Sequence, residues 1–219
     1  MKPEDRRSHN PPYARLIPLM LPVANPLFRP LRLRAVQRLA LHPGAHVLDV
    51  GCGAGSSFSY LRAAVGPDGR VVGVDISPYL AAKARQVIDR QGWHNVQVIV
   101  AAADAVQVVD RFDGVLLFAA HEVLTAPAAL DNLLAQVNDH ARVVAFGAKQ
   151  VPTLPGALLN PAWRLASRTW LAGAAPIDAQ PWRILAQRIT SLDVEEYGFG
   201  VFYLVSGTVS LTPHRKEAA

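Results

Sequence analysis

Residues 47–55, which read VLDVGCGAG, constrain the fold of this chain more than any other stretch. An apolar run with strand character leads into three glycines at positions 51, 53 and 55, and a helical pattern follows. Glycines let a backbone come close to a ligand, and the amide groups at a helix N-terminus donate to it. The stretch therefore predicts a buried strand, a ligand-binding turn and a helix in succession.

The spacing of these glycines favours one kind of ligand over another. A dinucleotide-binding turn has the pattern G-x-G-x-x-G, but Ser56 stands three residues after Gly53, where that pattern requires glycine. Asp49 also precedes the first glycine by two residues. A carboxylate there repels a pyrophosphate and attracts an ammonium group, so the turn favours a zwitterionic amino-acid ligand.

Short apolar runs alternate with helical patterns from residue 45 onward, which is typical of a parallel sheet covered on both faces. We expect strands at residues 45–50, 70–75, 96–100, 112–118 and 141–146, and helices at about 56–65, 78–90 and 127–139. Two further runs, 191–198 and 199–209, predict an antiparallel hairpin. The predicted fold class is α/β: a Rossmann-like, doubly wound sheet of seven mostly parallel strands with an antiparallel C-terminal hairpin strand.

Two proline-rich parts interrupt this regular pattern. Residues 1–44 are expected to form an N-terminal cap, and residues 45–219 the main domain, with residues 151–190 as a lid insertion before the last two strands. Six prolines between residues 11 and 30 predict that no long helix forms before Leu31. The apolar spacing of residues 31–41 predicts a helix that packs one face on the body.

Three acidic residues follow or end successive predicted strands. Besides Asp49, Asp75 ends the second strand, 24 residues after Gly51, and Asp104 comes just after the third. A carboxylate in the position of Asp75 accepts hydrogen bonds from the hydroxyls of a ribose, and Asp104 is placed to accept one from an adenine amino group. Because parallel strands present their carboxyl ends along one edge, we expect these three side chains to form a single site.

These motifs resemble those of a known family. The segments DVGCGAG (49–55), VVGVDIS (71–77), AADA (102–105) and FDGVLLFAAHEVL (112–124) look like the successive motifs of class I S-adenosylmethionine-dependent methyltransferases, in the usual order and spacing. Within that group the chain resembles the small bacterial enzymes classed with ubiquinone/menaquinone and phospholipid methyltransferases. The resemblance covers about residues 44–147; residues 138–141 depart from it, because NDHA replaces a common Pro-Gly-Gly turn.

The resemblance implies S-adenosylmethionine as cofactor, with S-adenosylhomocysteine as product, and it implies a role for each matching residue. The glycines of the turn pack under the methionine part, Asp49 organises that end, Asp75 holds the ribose, Ile76 packs on the adenine, and Asp104 with Ala105 recognises the base. The expected cofactor-binding residues are Asp49, Gly51, Cys52, Gly53, Gly55, Asp75, Ile76, Asp104, Ala105, Phe118 and Tyr13. Tyr13 either closes over the cofactor or packs within its own cap, and Cys52 is expected to be a buried filler, not a nucleophile.

The fourth strand is followed by the best-placed titrating groups. His121 is a candidate general base for an acceptor that must lose a proton, or else it caps or packs near the cofactor. Glu122 either orients His121 or lies in solvent. No pair of histidines has the spacing of metal ligands, so no metal is expected.

Composition and charge narrow the class of protein and the cellular location that the sequence predicts. The chain is 51% hydrophobic, has one cysteine and lacks an apolar leader at its N-terminus, which favours a globular cytoplasmic protein, either free in solution or peripheral to the membrane. Eight Lys/Arg and two acidic residues lie among residues 1–45, so the net charge of +5 is concentrated there. This basic arm is either a solvated flank or a contact for an anionic membrane surface; nucleic acid is disfavoured because aromatic residues are few there.

Acceptor recognition is expected to fall to the cap and to the 151–190 insertion. Apolar residues of the insertion either face the acceptor or form the insertion's own core: Leu154, Leu158, Leu159, Trp163, Leu165, Trp170, Leu171 and Trp182. The sequence thus predicts methyl transfer to a small apolar or amphiphilic acceptor such as a lipid, quinone precursor or natural product. A non-catalytic or atypical cofactor-binding protein and a nucleic-acid methyltransferase are the alternatives.

Overall fold

A computed structural model describes residues 9–151 and 179–210. Seven strands form one sheet in the order β3-β2-β1-β4-β5-β7-β6. The strands are β1 (His46–Val50), β2 (Arg70–Asp75), β3 (Val96–Val100), β4 (Phe112–Phe118), β5 (Val137–Ala148), β6 (Thr190–Tyr197) and β7 (Phe202–Thr208). Neighbours among β1 to β5 pair in parallel, and β7 is antiparallel to both β5 and β6. The predicted sheet and its C-terminal hairpin are confirmed.

Six α-helices are described. They are α1 (Ile17–Arg38), α2 (Phe58–Val65), α3 (Pro78–Gln91), α4 (His121–Leu124), α5 (Pro127–Leu134) and α6 (Arg183–Ala186), and a short 3-10 helix (Pro12–Arg15) precedes α1. Buried side chains of α1, α2 and α3 pack on one face of the sheet, and those of α4, α5 and α6 pack on the other. The central strands read as continuous apolar runs because both of their faces are covered in this way.

The start of α3 shows how local sequence sets a helix boundary. The side chain of Ser77 accepts a hydrogen bond from the backbone N–H of Leu80 at 3.2 Å, and Pro78 occupies the first helical position. Gly92 ends the helix with φ of 63°. A hydroxyl cap, a proline at the first position and a left-handed glycine are the standard boundary signals, so this helix was predictable almost to the residue.

The prediction that no long helix forms before Leu31 was wrong, because α1 runs for 22 residues through three internal prolines. Pro22, Pro26 and Pro30 are spaced four apart, so the N–H that each lacks would have bonded to the carbonyl of the proline one turn earlier. All three are exposed. The unpaired carbonyls are therefore confined to one side of the helix, where water is available to them.

The boundary between α5 and β5 also differs from the prediction of a helix to about residue 139. The helix ends at Leu134, and β5 begins at Val137, which pairs with Phe112. The register then shifts, because the next pair is Gly114 with Arg142. The extra residues form an irregularity in which the side-chain amide of Asn138 donates to Asp113 at 2.7 Å. Residues 138–141, which lack the usual Pro-Gly-Gly, are thus accommodated inside the strand.

The cap is fastened to the far edge of the sheet. Arg34 of α1 makes two hydrogen bonds to the carboxylate of Glu195 in β6, at 3.0 and 2.7 Å, and Arg38 contacts Asp193 and the hydroxyl of Ser206. Most of the predicted lid, residues 152–178, lies outside the described residues. Trp182, near its end, is buried against Tyr203 with ring centroids 4.8 Å apart. No helix in the described part of the chain has the length and apolar character needed to cross a bilayer.

Candidate cofactor-binding site

The candidate site lies where β1 sits between β2 and β4, at the carboxyl ends of these strands. The chain leaves β1 for β2 on one side and reaches β4 on the other, so two connections diverge there. Such a topological switch point opens a crevice outside the strand ends, which is where open α/β sheets bind ligands. The fold brings Asp49, Asp75 and the segment around His121 to this region, as the sequence predicts.

The glycine-rich turn approaches the crevice closely. Gly51, Gly53 and Gly55 all have positive φ, at 67°, 56° and 81°. A Cβ on Gly55 would lie 2.7 Å from the ring of Phe58, so close packing requires glycine there. A Cβ on Gly53 would meet no atom within 4 Å, so Gly53 borders open space. The turn therefore exposes backbone at Gly53 and is fixed by packing at Gly55.

Asp75 fixes the turn to the end of β2. Its carboxylate accepts hydrogen bonds from the backbone N–H of Gly53 at 2.8 Å and of Ser77 at 2.9 Å. Burial raises the pKa of Asp75, and these two hydrogen bonds oppose the rise. Each carboxylate oxygen has a further lone pair, so Asp75 retains the capacity to accept from a ligand hydroxyl.

Asp49 is the most unusual ionisable group in the site. It is 1% exposed, and its Oδ2 atom has no hydrogen-bond partner among the described residues. Burial raises the pKa of Asp49 to about 7, against the effect of Arg32, which lowers it, while Asp75 adds to the rise. A buried carboxylate with an unsatisfied oxygen is costly unless a ligand supplies a donor or a positive charge.

Arg32 is a site residue that sequence reasoning missed. It projects from α1 and donates to the hydroxyl of Ser57 at 2.8 Å, and its guanidinium carbon lies 4.0 Å from the ring centroid of Phe118. Phe118 also stacks on Phe146, with ring centroids 4.3 Å apart. No sequence signal links Arg32 to Asp49, because their proximity depends on how α1 crosses the sheet.

The N-terminal segment closes over the β2–α3 connection. The backbone N–H of His9 donates to the carbonyl of Ile76 at 3.1 Å, and the side chain of Asn10 accepts from the Ser77 hydroxyl at 2.8 Å. Asn10 also accepts from the backbone N–H of Tyr79 at 3.0 Å. Ile76 is half-buried beneath this segment. The backbone of Tyr13 follows in the 3-10 helix, but its side chain lies outside the described part of the chain.

The loop after β3 carries the predicted base-recognition residues. Asp104 is half-buried and Ala105 is exposed. The side-chain amide of Asn132 in α5 donates to the carbonyls of Ala103 and Val106, at 2.9 and 2.8 Å. Asn132 therefore holds this loop from the face of the sheet that α4, α5 and α6 cover. Asn132 is a second positioning residue that the sequence gives no signal for.

His121 begins α4 directly after β4. It is 6% exposed, and neither ring nitrogen has a hydrogen-bond partner among the described residues. Burial lowers the pKa of His121, while the neighbouring charge of Glu122, which is exposed, raises it. Ala119, two residues earlier, has a φ of 62°, a strained value for a residue with a side chain. A neutral imidazole with free nitrogens is suited to accept a proton.

Cys52 lies within the turn and is 7% exposed. Burial raises the pKa of its thiol well above the ordinary value, and the charges of Asp49 and Asp75 act in the same direction. The thiolate, which is the nucleophilic form, is therefore disfavoured.

The fold is a Rossmann-like α/β sheet, and its switch point, glycine turn and acidic strand ends are typical of nucleoside-binding proteins of that type. Residues 47–143 match the family model described as a methyltransferase domain. This match and the sequence motifs support a class I S-adenosylmethionine-dependent methyltransferase domain over this part of the chain.

Two curated relatives share this part of the chain. A probable cobalt-precorrin-6B C(15)-methyltransferase (decarboxylating) of Thermoplasma volcanium is 31% identical over 129 residues, which are 58% of this chain and 63% of that protein. The aklanonic acid methyltransferase DauC of a Streptomyces species is 32% identical over 122 residues, 54% of each chain. The matched region thus spans less than two thirds of either relative.

The fold has close neighbours among solved structures. The N-methyltransferase NodS from Bradyrhizobium japonicum superimposes with a TM-score of 0.61 over 85% of this chain and 98% of that one, at 16% sequence identity. At this identity the likeness concerns the fold.

The residues present fit S-adenosylmethionine, the cofactor of this family. Its amino-acid part carries an ammonium group, which suits the unsatisfied, buried Oδ2 of Asp49. Its ribose hydroxyls suit the remaining acceptor capacity of Asp75, and the open space beside Gly53 leaves room for an atom against the backbone. The fit rests on charge, free hydrogen-bonding capacity and space.

Proposed function

We propose that this protein transfers a methyl group from S-adenosylmethionine to a small apolar or amphiphilic acceptor by in-line displacement. The observation that carries the proposal is the carboxylate of Asp49, buried with an unsatisfied oxygen beside a glycine turn, in a chain whose residues 47–143 match a methyltransferase domain. The cofactor, when bound, supplies a methyl group activated by a positively charged sulfonium.

The chain's own residues have three tasks in this reaction. Asp49 neutralises the ammonium group of the cofactor, and Asp75 orients its ribose while holding the turn through Gly53. Ile76 packs on the adenine, and Asp104 and Ala105 bind its edge. Holding donor and acceptor in line is the main contribution, because an aligned displacement with a good leaving group needs little else.

His121 is proposed to take the proton that a hydroxyl or ammonium acceptor loses. Its burial, its lowered pKa and the absence of a partner for its ring nitrogens among the described residues support a neutral imidazole that can accept the proton. Glu122 is exposed beside it and helps to stabilise the imidazolium that forms. His121 would take this proton while the bond between the methyl carbon and the cofactor's sulfur breaks and S-adenosylhomocysteine leaves as a neutral thioether.

The apolar or amphiphilic nature of the acceptor rests on two observations. The aligned relative DauC is named as an aklanonic acid methyltransferase. The cap also exposes apolar side chains on its outer side: Leu19, Val23 and Leu27 of α1 are 77%, 75% and 67% exposed, a surface suited to docking where an apolar acceptor is concentrated. We further propose peripheral contact with a membrane through the basic N-terminal region, where such an acceptor would be found.

Methyl transfer is tested with the full chain and cofactor labelled in its methyl group. Incubation with a cell extract, followed by separation into organic, aqueous and nucleic-acid fractions, should place the label in the organic fraction. Asp75→Asn should abolish the labelling, since it weakens cofactor binding. Cofactor binding by calorimetry without any labelled product would instead favour a non-catalytic binder, and label in nucleic acid would overturn the proposed acceptor class.

A further inference from the structure

The N-terminal half of α1 carries an uncovered apolar surface. We call it the α1 stripe; it consists of Leu16, the N-cap residue just before α1, and of Leu19, Met20, Val23 and Leu27 in the helix, which are 55%, 77%, 39%, 75% and 67% exposed. Their spacing of three and four residues places them on one side of the helix. Single exposed apolar residues are ordinary on protein surfaces, but a contiguous row of five is typical of a binding surface.

The rest of α1 fixes the direction in which the stripe faces. The ring of Phe28 packs edge-on against Phe146 and Phe202, with centroids 5.8 and 5.5 Å away. Ala35 and Val36 are buried in the core, and Arg34 is bound to Glu195 of β6. The body therefore holds the helix by its other side and by its C-terminal half, so that the stripe points away from the described body.

The charges beside the stripe all have one sign. No acidic residue occurs between residues 9 and 48. Arg15 ends the 3-10 helix and adjoins Leu16 in the chain, and Arg29 lies two residues after Leu27; both are exposed. Arg34, farther along, is neutralised by Glu195. The stripe thus has a cation near each of its ends, and neither cation has an acidic partner among the described residues.

We propose that the α1 stripe docks on an anionic lipid surface, with its leucines and valine among the acyl chains and Arg15 and Arg29 at the phosphates. None of the five side chains carries a hydrogen-bonding group, whereas protein interfaces contain about one hydrogen bond per 100–200 Å². An apolar helix face with flanking arginines is the pattern of helices that lie in the membrane interface. This deepens the peripheral contact proposed above by naming its surface.

The apolar part of the proposal is tested by co-sedimentation of the full chain with vesicles of phosphatidylglycerol and phosphatidylcholine, without cofactor. Leu19→Gln, Val23→Gln and Leu27→Gln combined should lower the partition coefficient at least tenfold. The matched control combines Val109→Gln, Leu192→Gln and Phe199→Gln, which alter exposed apolar side chains elsewhere, at 102%, 41% and 74% exposure. The control should bind like the native chain, and both variants should keep the native thermal midpoint.

The contribution of charge to docking is tested by substituting arginines. Arg15→Gln with Arg29→Gln should weaken binding to anionic vesicles several-fold and leave the weak binding to neutral vesicles unchanged. Arg85→Gln with Arg90→Gln removes the same charge from the exposed side of α3 and should have a smaller effect. The proposal is overturned if the native chain ignores anionic vesicles, if the stripe variant binds like its control, or if sedimentation shows that the stripe joins two copies of the chain.

These outcomes are separate from those of the methyl-transfer proposal, because no cofactor is present in the vesicle experiments. If the chain does not dock on vesicles but still binds the cofactor and labels an acceptor, only the proposal of membrane docking is rejected. If the chain docks on vesicles but labels no acceptor, only the proposal of methyl transfer is rejected.

Discussion

Arg32 in α1 acts on the ionisation of Asp49 in β1. Burial raises the pKa of Asp49, the positive charge of Arg32 lowers it, and the balance lies at about 7. Arg32 is itself held in place by the hydroxyl of Ser57 and by the ring of Phe118. A residue of α1 thus opposes the effect of burial on the pKa of a carboxylate in the candidate site.

Cofactor affinity should therefore depend on pH. Asp49 attracts the cofactor's ammonium group only when it is ionised, so the affinity should rise between pH 5.5 and 7 by up to about tenfold per pH unit. Isothermal titration calorimetry with S-adenosylhomocysteine measures this. Asp49→Asn should bind more weakly than the native protein near pH 7 and lose most of the slope; an unchanged slope in this variant would assign the pH dependence to another group.

Removing Arg32 should move that pH dependence. Arg32→Gln takes away the charge that lowers the pKa of Asp49, so the midpoint of the affinity profile should shift upward by about one pH unit. The matched control is Arg34→Gln, which also removes an arginine from α1 but one that is paired with Glu195 on the sheet edge. If both variants shift the midpoint equally, a general change in net charge explains the effect.

The stability of the protein without cofactor should fall as pH rises toward 7. The folded state keeps a proton on Asp49 up to about pH 7, whereas an unfolded chain releases it near the ordinary pKa of 3.8. Between those values the folded state binds more protons, so the free energy of unfolding decreases with pH, by at most about 1.4 kcal/mol per unit for this group. Urea denaturation of the native protein and of Asp49→Asn at pH 4.5 and 6.5 isolates the contribution, since Asp75 and His121 titrate in both.

Substituting the glycines of the turn should separate effects on folding stability from effects on cofactor binding. Gly53→Ala places a Cβ in open space at φ of 56°, and should cost about 1 kcal/mol of stability and weaken cofactor binding at least tenfold. Gly55→Ala collides with Phe58 and should cost more stability. Gly92→Ala is the control, because it has a φ of 63° and open space far from the site, and should lose similar stability with unchanged affinity. Equal affinity in Gly53→Ala and Gly92→Ala would place the ligand elsewhere.

The sequence predicted those parts of the fold that depend on local signals. The capping hydroxyl of Ser77 and the apolar runs of β2, β3 and β4 gave boundaries that match the structure. The prolines of α1 mislead because each one alone predicts a helix break, whereas their four-residue spacing places all three on the solvent side of one helix. Local sequence predicts a helix through Val137 because the pairing of Val137 with Phe112 is long-range.

The candidate site likewise contains residues that local motifs predict and residues that they do not. Asp49, Asp75 and the glycines follow from motif spacing, since parallel strands bring their carboxyl ends together. Arg32 and Asn132 do not, because they reach the site from helices whose placement depends on packing across the whole sheet. Sequence reasoning finds what a motif contains and misses what the tertiary fold adds to it.

The final prediction concerns His121. His121→Ala should lower turnover by roughly a hundredfold or more when the acceptor loses a proton in the reaction, and leave cofactor affinity unchanged. Because burial lowers its pKa, the native turnover should rise with pH and level off below the ordinary value of 6.5. His121→Gln keeps a polar side chain of similar size, so a purely structural role would be largely rescued by it, whereas a base would not. Rate profiles of the three proteins between pH 5 and 8 distinguish the two roles, and native-like turnover in His121→Gln would rule out proton transfer to this residue.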